Sequence, residues 1–241
     1  MTVPEGEFSQ PLLAARDKIA EAITAAAARV GRDAHLVQVV AVTKTVEAER
    51  VRAAAAAGFE SFGENRVQER AAKAAALGET AGTWHLVGPL QSNKARRAVE
   101  LFDVIESVDS LELARRLDRI AAEVHPESRF RILLQVNVDD DPAKSGFDPD
   151  SLVRDLPAIL ALPALAVDGL MTVGRLAGDP EDARSTFVAL RELSERLRAD
   201  HPGLGSDLSM GMTDDYPIAV EEGATIVRIG RAIFGDRPDP R

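Results

Sequence analysis

Cysteine is absent from this 241-residue chain, so disulfides, thiolate metal sites and cysteine nucleophiles are excluded, and a reducing compartment is permitted. Excess positive charge is also missing. The formal net charge of -10 at pH 7 argues against a nucleic-acid backbone or an anionic membrane as the main partner, although a local basic pocket remains compatible with it. No apolar run is long enough to span a bilayer. The opening MTVPEGEFSQ has neither the basic nor the apolar region of a secretory signal. A soluble cytoplasmic protein is the expectation. Histidine is scarce: His35, His85, His125 and His201 show no metal-ligand spacing, so no metal site is expected. Surface placement is expected for His35, His125 and His201, which fall near element ends. GxSxG elbows, Walker loops and GxGxxG fingerprints are missing too, as are repeats of solenoid period.

What is present is 45% hydrophobic content, enough for a sizeable core. Short β-branched runs alternate with longer Ala/Leu/Arg/Glu stretches of helical period, the pattern of a parallel sheet with crossover helices. Eight such units are counted. Their strands are LVQVVAV from Leu36, GFESF from Gly58, TWHLVG from Thr83, DVIESV from Asp103, FRILLQVNV from Phe130, LAVDGLMTV from Leu165, SDLSM from Ser206 and ATIVRIG from Ala224. Helices are expected over 46–57, 64–77, 90–100, 110–124, 149–162, 180–200 and 214–222. Ahead of them, residues 8–31 carry Leu12, Ile19, Ile23, Ala26 and Val30 at spacings of three to four, an extra amphipathic helix stopped by Gly31. The fold expected is a single (β/α)8 TIM-like α/β barrel, with an N-terminal helix in 1–35 packed on a barrel in 36–241, one domain overall. A doubly wound open sheet is the second choice.

In such a barrel the functional face is built from the residues directly after each strand. Lys44, where QVVAV ends, is there either a solvated strand-end lysine or an amine able to form a Schiff base. The loops SMGMTDD and RIGRAIFG come after strands seven and eight, where barrels commonly bind phosphate; Gly211 and Gly230 either serve that purpose or only permit tight turns. Arg228 lies inside the apolar run IVRIG. Such a charge either meets a carboxylate on a neighbouring strand or hydrogen-bonds a heteroaromatic ring nitrogen. Glu106 and Asp109 resemble a carboxylate pair, but a helix cap at Asp109 or Ser110 explains that region without chemistry. Lys94, Arg96 and Arg97 read as a solvated helix face. The DDDPAKSGFDPD stretch lacks EF-hand spacing and reads as a loop, with Lys144 an exposed loop lysine or a second aldehyde acceptor.

The segments AVTKTV, FGENRVQE, WHLVGPLQSNK, VNVDDDPAKSGF, GLMTVG and LSMGMTDDYPIAVEEGATIVRIGRAIFG resemble, in order and spacing, the YggS/PROSC family of pyridoxal phosphate homeostasis proteins. They are also similar to the N-terminal barrel of fold-type III alanine racemases. The resemblance runs from about Leu36 to Gly235. It implies pyridoxal 5'-phosphate bound covalently to Lys44, with Ser209, Gly211, Gly230 and Arg231 around the phosphate, Met210 among the cofactor-binding residues and Arg228 facing the pyridine nitrogen. It places Asn65 and His85 in the pocket lining. Thr213 stands where the family often has serine, and Arg231 where it often has threonine. The latter leaves its backbone N–H as the expected donor.

A permanently protonated Arg228 against the ring nitrogen would keep that nitrogen unprotonated and make the cofactor a poor electron sink. Fold-type III racemases also take a second base, typically tyrosine, from a C-terminal domain or partner subunit. Here the sequence stops after the eighth unit and its one tyrosine, Tyr216, has no clear role as base. The expectation is a carrier that takes part in intracellular cofactor homeostasis and delivery to apo-enzymes, and a monomer, since no second domain demands a shared active site. A fold-type III racemase and a Schiff-base aldolase acting on a sugar phosphate are the rivals.

Overall fold

A computed structural model describes residues 6–78, 82–174 and 179–235. The ends of the expected ranges 1–35 and 36–241 lie outside the described residues. Eight parallel strands close into a barrel in chain order, β1 (Gln38–Val42), β2 (Ser61–Glu64), β3 (Thr83–Leu86), β4 (Val104–Val108), β5 (Phe130–Gln135), β6 (Leu165–Met171), β7 (Asp207–Ser209) and β8 (Ile226–Ile229). Closure is made by β8 on β1, with Val40 opposite Arg228. The open-sheet alternative is thereby excluded.

Helix α1 (Gly6–Arg29) precedes β1. The crossovers are α2 (Ala48–Ala56), α3 (Val67–Leu77), α4 (Ala95–Leu101), α5 (Leu111–Val124), α6 (Pro149–Leu160), α7 (Arg184–Asp200) and α8 (Tyr216–Glu221). A short helix after β8, α9 (Arg231–Phe234), is not visible in the sequence pattern because four residues carry no periodicity. Helix α5 shows how the sequence builds this layer. Ser110 accepts a hydrogen bond from the Leu113 N–H at its start, and Leu113, Ala114, Leu117, Ile120 and Ala121 form one buried face. Each leucine so buried stabilises by about 1.5–3 kcal/mol relative to exposure. The helix cap expected at Asp109 or Ser110 is thus made by Ser110.

Three boundaries move for identifiable reasons. Gly58, at φ +94°, ends the turn after α2, and Phe59 still bonds back to Ala54, so β2 starts at Ser61 instead of Gly58. Asp33 accepts from the His35 N–H, folding Ala34–Leu36 into a 3-10 turn that leaves Leu36 63% exposed. Val30 lies beyond the end of α1 and is 46% exposed, so it leaves the apolar stripe. Helix α1 covers α2, α8 and α9.

Strand alternation divides the core into two layers. One set of apolar side chains fills the space between barrel and helices. A smaller set inside the barrel comprises Val40, Val104, Leu133, Met171 and Ile226. Two residues further along those strands, the inward positions are Val42, Glu106, Gln135, Val173 and Arg228. The interior thus changes from apolar to charged toward the C-terminal ends of the strands.

Candidate functional site

At that end a cavity of about 650 Å³ is walled by Val42, Val87, Pro89 and Val173, floored by Arg228, and rimmed by Lys44, Asn65, Gly88, Met212, Thr213, Asp214, Gly230 and Arg231. Apolar walls around a few convergent polar groups are what a flat, partly charged small molecule requires. A larger cleft, about 850 Å³, lies between α1 and the start of β1. Its arginines are committed to the backbone, Arg16 to Ala57 O and Arg32 to Val220, Gly223 and Ala224 O. Of these two, the first cavity is the one where an amine, two arginines and the loops after the strands converge.

Lys44 occupies the turn after β1, which the Val46 N–H closes on Thr43 O at 2.9 Å. Thr45 is next, at φ +63°. This conformation is unfavourable for a β-branched residue, so the neighbouring structure must hold it. Behind the turn, the Thr43 hydroxyl donates to Glu64 Oε1 at 2.7 Å. Lys73 Nζ donates both to that oxygen and to Thr43 O, each at 2.6 Å. Burial pushes the Glu64 carboxyl up, and the bond and charge from Lys73 work against that rise.

Beneath the cavity, Arg228 donates to Ser209 Oγ at 2.6 Å and to Thr172 O at 2.7 Å. The Ser209 hydroxyl donates to Glu106 Oε2 at 2.6 Å, and His85 Nδ1 lies 2.7 Å from Glu106 Oε1. Arg228 NH1 is 3.9 Å from Glu106. Burial pushes Glu106 up, but the His85 bond and charge, the Arg228 charge and the Ser209 bond together hold it below the usual carboxylate range. A carboxylate between histidine and serine does not form a nucleophilic triad, in which the histidine stands in the middle. His85 Nε2 is enclosed without a partner.

Of the residues expected here, Lys44, Asn65, Arg228, Gly230 and Arg231 come together at the cavity. The others fall elsewhere. His85 and Ser209 face the barrel interior but lie in the polar network below, so they reach the cavity only through Arg228. Met210 is fully buried within the barrel–helix layer. Gly211 packs on α8. Arg228 has the carboxylate neighbour expected of a buried charge, Glu106 at 3.9 Å, and it also lines the cavity.

Glu106 does not pair with Asp109, and the cap at Ser110 does not account for it: it meets His85, Ser209 and Arg228 inside the barrel, and a carboxylate within VIESV carries the same signal as Arg228 within IVRIG. Lys144 is not an exposed loop lysine, because its Nζ donates to Asp139 at 2.7 Å and to Val173 O at 3.0 Å. His125 is half-buried, its ring stacked on Phe130 at 5.6 Å. Tyr216 lies off the cavity, and burial pushes its phenol up.

Gly211 shows why a loop glycine need not signal a ligand. Its φ is +91°, and a Cβ there would meet Ala219 Cβ at 2.5 Å and Tyr216 Cα at 3.0 Å. The loop can close on α8 only without a side chain, and the Met212 N–H completes it by donating to Asp215. Gly211→Ala is expected to cost about 2–4 kcal/mol, read from urea unfolding. An unchanged midpoint would show that the loop is free to move. Gly230, at φ -113°, has nothing nearer than 3.4 Å to such a Cβ. Arg231, at the start of α9, pairs with Asp214 across the rim.

The family model for the N-terminal domain of alanine racemase matches residues 15–238. A pyridoxal phosphate homeostasis protein from Synechocystis is 43% identical over 202 residues, covering 83% of this chain and 92% of that protein. PipY of Synechococcus elongatus, solved with pyridoxal phosphate bound, is 43% identical, with a TM-score of 0.79 over 90% of this chain and all of that one. Alanine racemase from Bartonella henselae shares the fold, with a TM-score of 0.70 at 13% identity; the alignment covers 95% of this chain and 61% of the racemase. With this barrel and these relatives, the chain belongs to the pyridoxal phosphate homeostasis proteins, within the family of the alanine racemase N-terminal domain.

Proposed function

We propose that this protein binds pyridoxal 5'-phosphate covalently on Lys44 and serves its homeostasis, holding the cofactor and releasing it to apo-enzymes. The observation that carries this reading is the meeting of Lys44, Arg228 and the Gly230–Arg231 corner in one cavity. The donor set fits the group. When bound, pyridoxal phosphate supplies an aldehyde that condenses reversibly with a primary amine. Lys44 offers that amine at the rim. Val42, Val87 and Val173 offer apolar walls to a planar ring. Arg231 and the backbone N–H groups at the start of α9 offer donors for a phosphate.

Holding, as opposed to turnover, is supported by the surroundings of Arg228. A guanidinium is protonated at all working pH values, so it presents only donors to whatever lies above it. Tyr216, away from the cavity, is no candidate for a second base. Gly88 lies against the Asn65 backbone at the rim, where a Cβ would fall 2.3 Å from Asn65 O.

Adding pyridoxal phosphate to the purified protein is expected to produce a yellow species that borohydride fixes as one adduct per chain. A protein that stays colourless would overturn the reading. Sustained production of D-amino acid from L-alanine or L-serine would replace the carrier with a racemase. No helix among the described residues is long and apolar enough to cross a membrane.

A further inference from the structure

The turn that carries Lys44 is held from behind by groups that do not touch the cavity. Lys44 and Thr45 are its central residues, and Thr45, at φ +63°, stands where a turn of this kind ordinarily takes glycine. Threonine pays for that geometry in β-branched strain. The opposing force is visible at Thr43. Its N–H donates to Gly63 O at 2.8 Å and its hydroxyl to Glu64, while its carbonyl accepts from both the Val46 N–H and the Lys73 ammonium. Every polar atom of Thr43 is thus fixed, two of them by side chains from β2 and α3. The Lys73 side chain is 11% exposed and that of Glu64 is fully buried. Salt and solvent therefore screen this pair little. A buried ion pair is a poor source of net stability but a strong fixer of geometry.

We propose that Lys73 and Glu64 are positioning residues for Lys44: through Thr43 they clamp the strained turn in the conformation that presents the lysine amine to the cavity. The inference rests on the reading of Lys44 as the cofactor-bearing residue. It also explains how threonine is tolerated beside Lys44: the clamp supplies the turn conformation that glycine would adopt unaided.

The test uses the charge-neutral pair Glu64→Gln with Lys73→Met, which removes both charges of the pair together, with and without Thr45→Gly. Two quantities are read on the full chain: exchange of the Val46 amide by NMR and affinity for pyridoxal phosphate by visible titration. The double variant is expected to speed Val46 exchange by about tenfold and weaken binding by about fivefold, with exchange elsewhere in β1 unchanged. Adding Thr45→Gly is expected to bring both back to within about twofold of the wild type, since glycine holds this turn without a clamp. A general loss of core stability would not be rescued by glycine in one turn.

Unchanged Val46 exchange, a loosened turn with unchanged affinity, or failure of Thr45→Gly to restore binding would each overturn the proposal. If the wild type takes up no cofactor, the functional reading fails, and the exchange measurements alone decide whether the clamp exists.

Discussion

Replacing Lys44 with alanine is expected to abolish the borohydride-fixed adduct and to weaken pyridoxal phosphate binding by at least about 100-fold, or about 2.7 kcal/mol. Among the described residues that line the cavity, Lys44 alone carries a primary amine. The nearby alternative, Lys144, has its ammonium engaged by Asp139 and by Val173 O, and leaving them would break both bonds. Apolar walls, Arg228 and Arg231 remain in the variant, so weak noncovalent binding should persist. Stability should change by less than about 0.5 kcal/mol, because the side chain is only half-buried and lies on a turn. Mass spectrometry of the reduced complex checks this directly. An undiminished adduct carried by Lys144 or another lysine would remove Lys44 from its assigned role.

Arg228→Met should be the most damaging single change in the barrel interior, costing about 3–5 kcal/mol and lowering the melting temperature by roughly 10 °C. The reason is the partner left behind. Glu106 is fully buried, and without Arg228 it keeps the His85 and Ser209 bonds but loses a neighbouring positive charge. The pH dependence derives from the sign of its shift. A carboxyl held below its usual range contributes stability that is present above the ordinary carboxylate value and lost as pH falls through the depressed one. Removing Arg228 weakens that depression. The gap between wild type and variant should therefore be widest near neutrality and narrow as the pH falls toward the carboxylate range. Urea midpoints at about pH 7 and about pH 3.5, below the ordinary carboxylate value, measure it. Adding Glu106→Gln should recover part of the loss. A gap that is the same at both pH values would mean that Glu106 does not depend on Arg228.

The barrel is legible in the sequence because parallel strands buried on both faces appear as apolar β-branched runs, and helices crossing between them carry the 3.6-residue period. Where boundaries differ, local hydrogen bonds outweigh hydropathy: the Asp33 cap pulls Leu36 out of β1, and the Gly58 turn delays β2. Lys44, Asn65, Gly230 and Arg231 are recognisable because each comes directly after a strand, and chain position alone brings such residues to one end of a barrel. Lys73 is not legible as a partner of that end. On α3 it reads as one more surface lysine, and only the packing of α3 on β2 turns it toward Thr43.

By itself, the sequence determined the chemistry available to this protein: a strand-end amine, an arginine in an apolar strand, two loops after the last strands, and no thiol. These depend on residue type and local period, which need no knowledge of distant contacts. The tertiary structure decided how deep each group lies and what it meets. His85, Ser209 and Arg228 all face the barrel interior. Yet Arg228 reaches the cavity while His85 and Ser209 stop one layer below it, on Glu106 from a strand more than a hundred residues away from Ser209 and Arg228. Strand register and barrel closure set that depth, and both are sums over pairings between strands distant in sequence. Lys44 is therefore visible as an amine in the sequence, whereas the clamp of Lys73 and Glu64 behind it exists only once the barrel has closed.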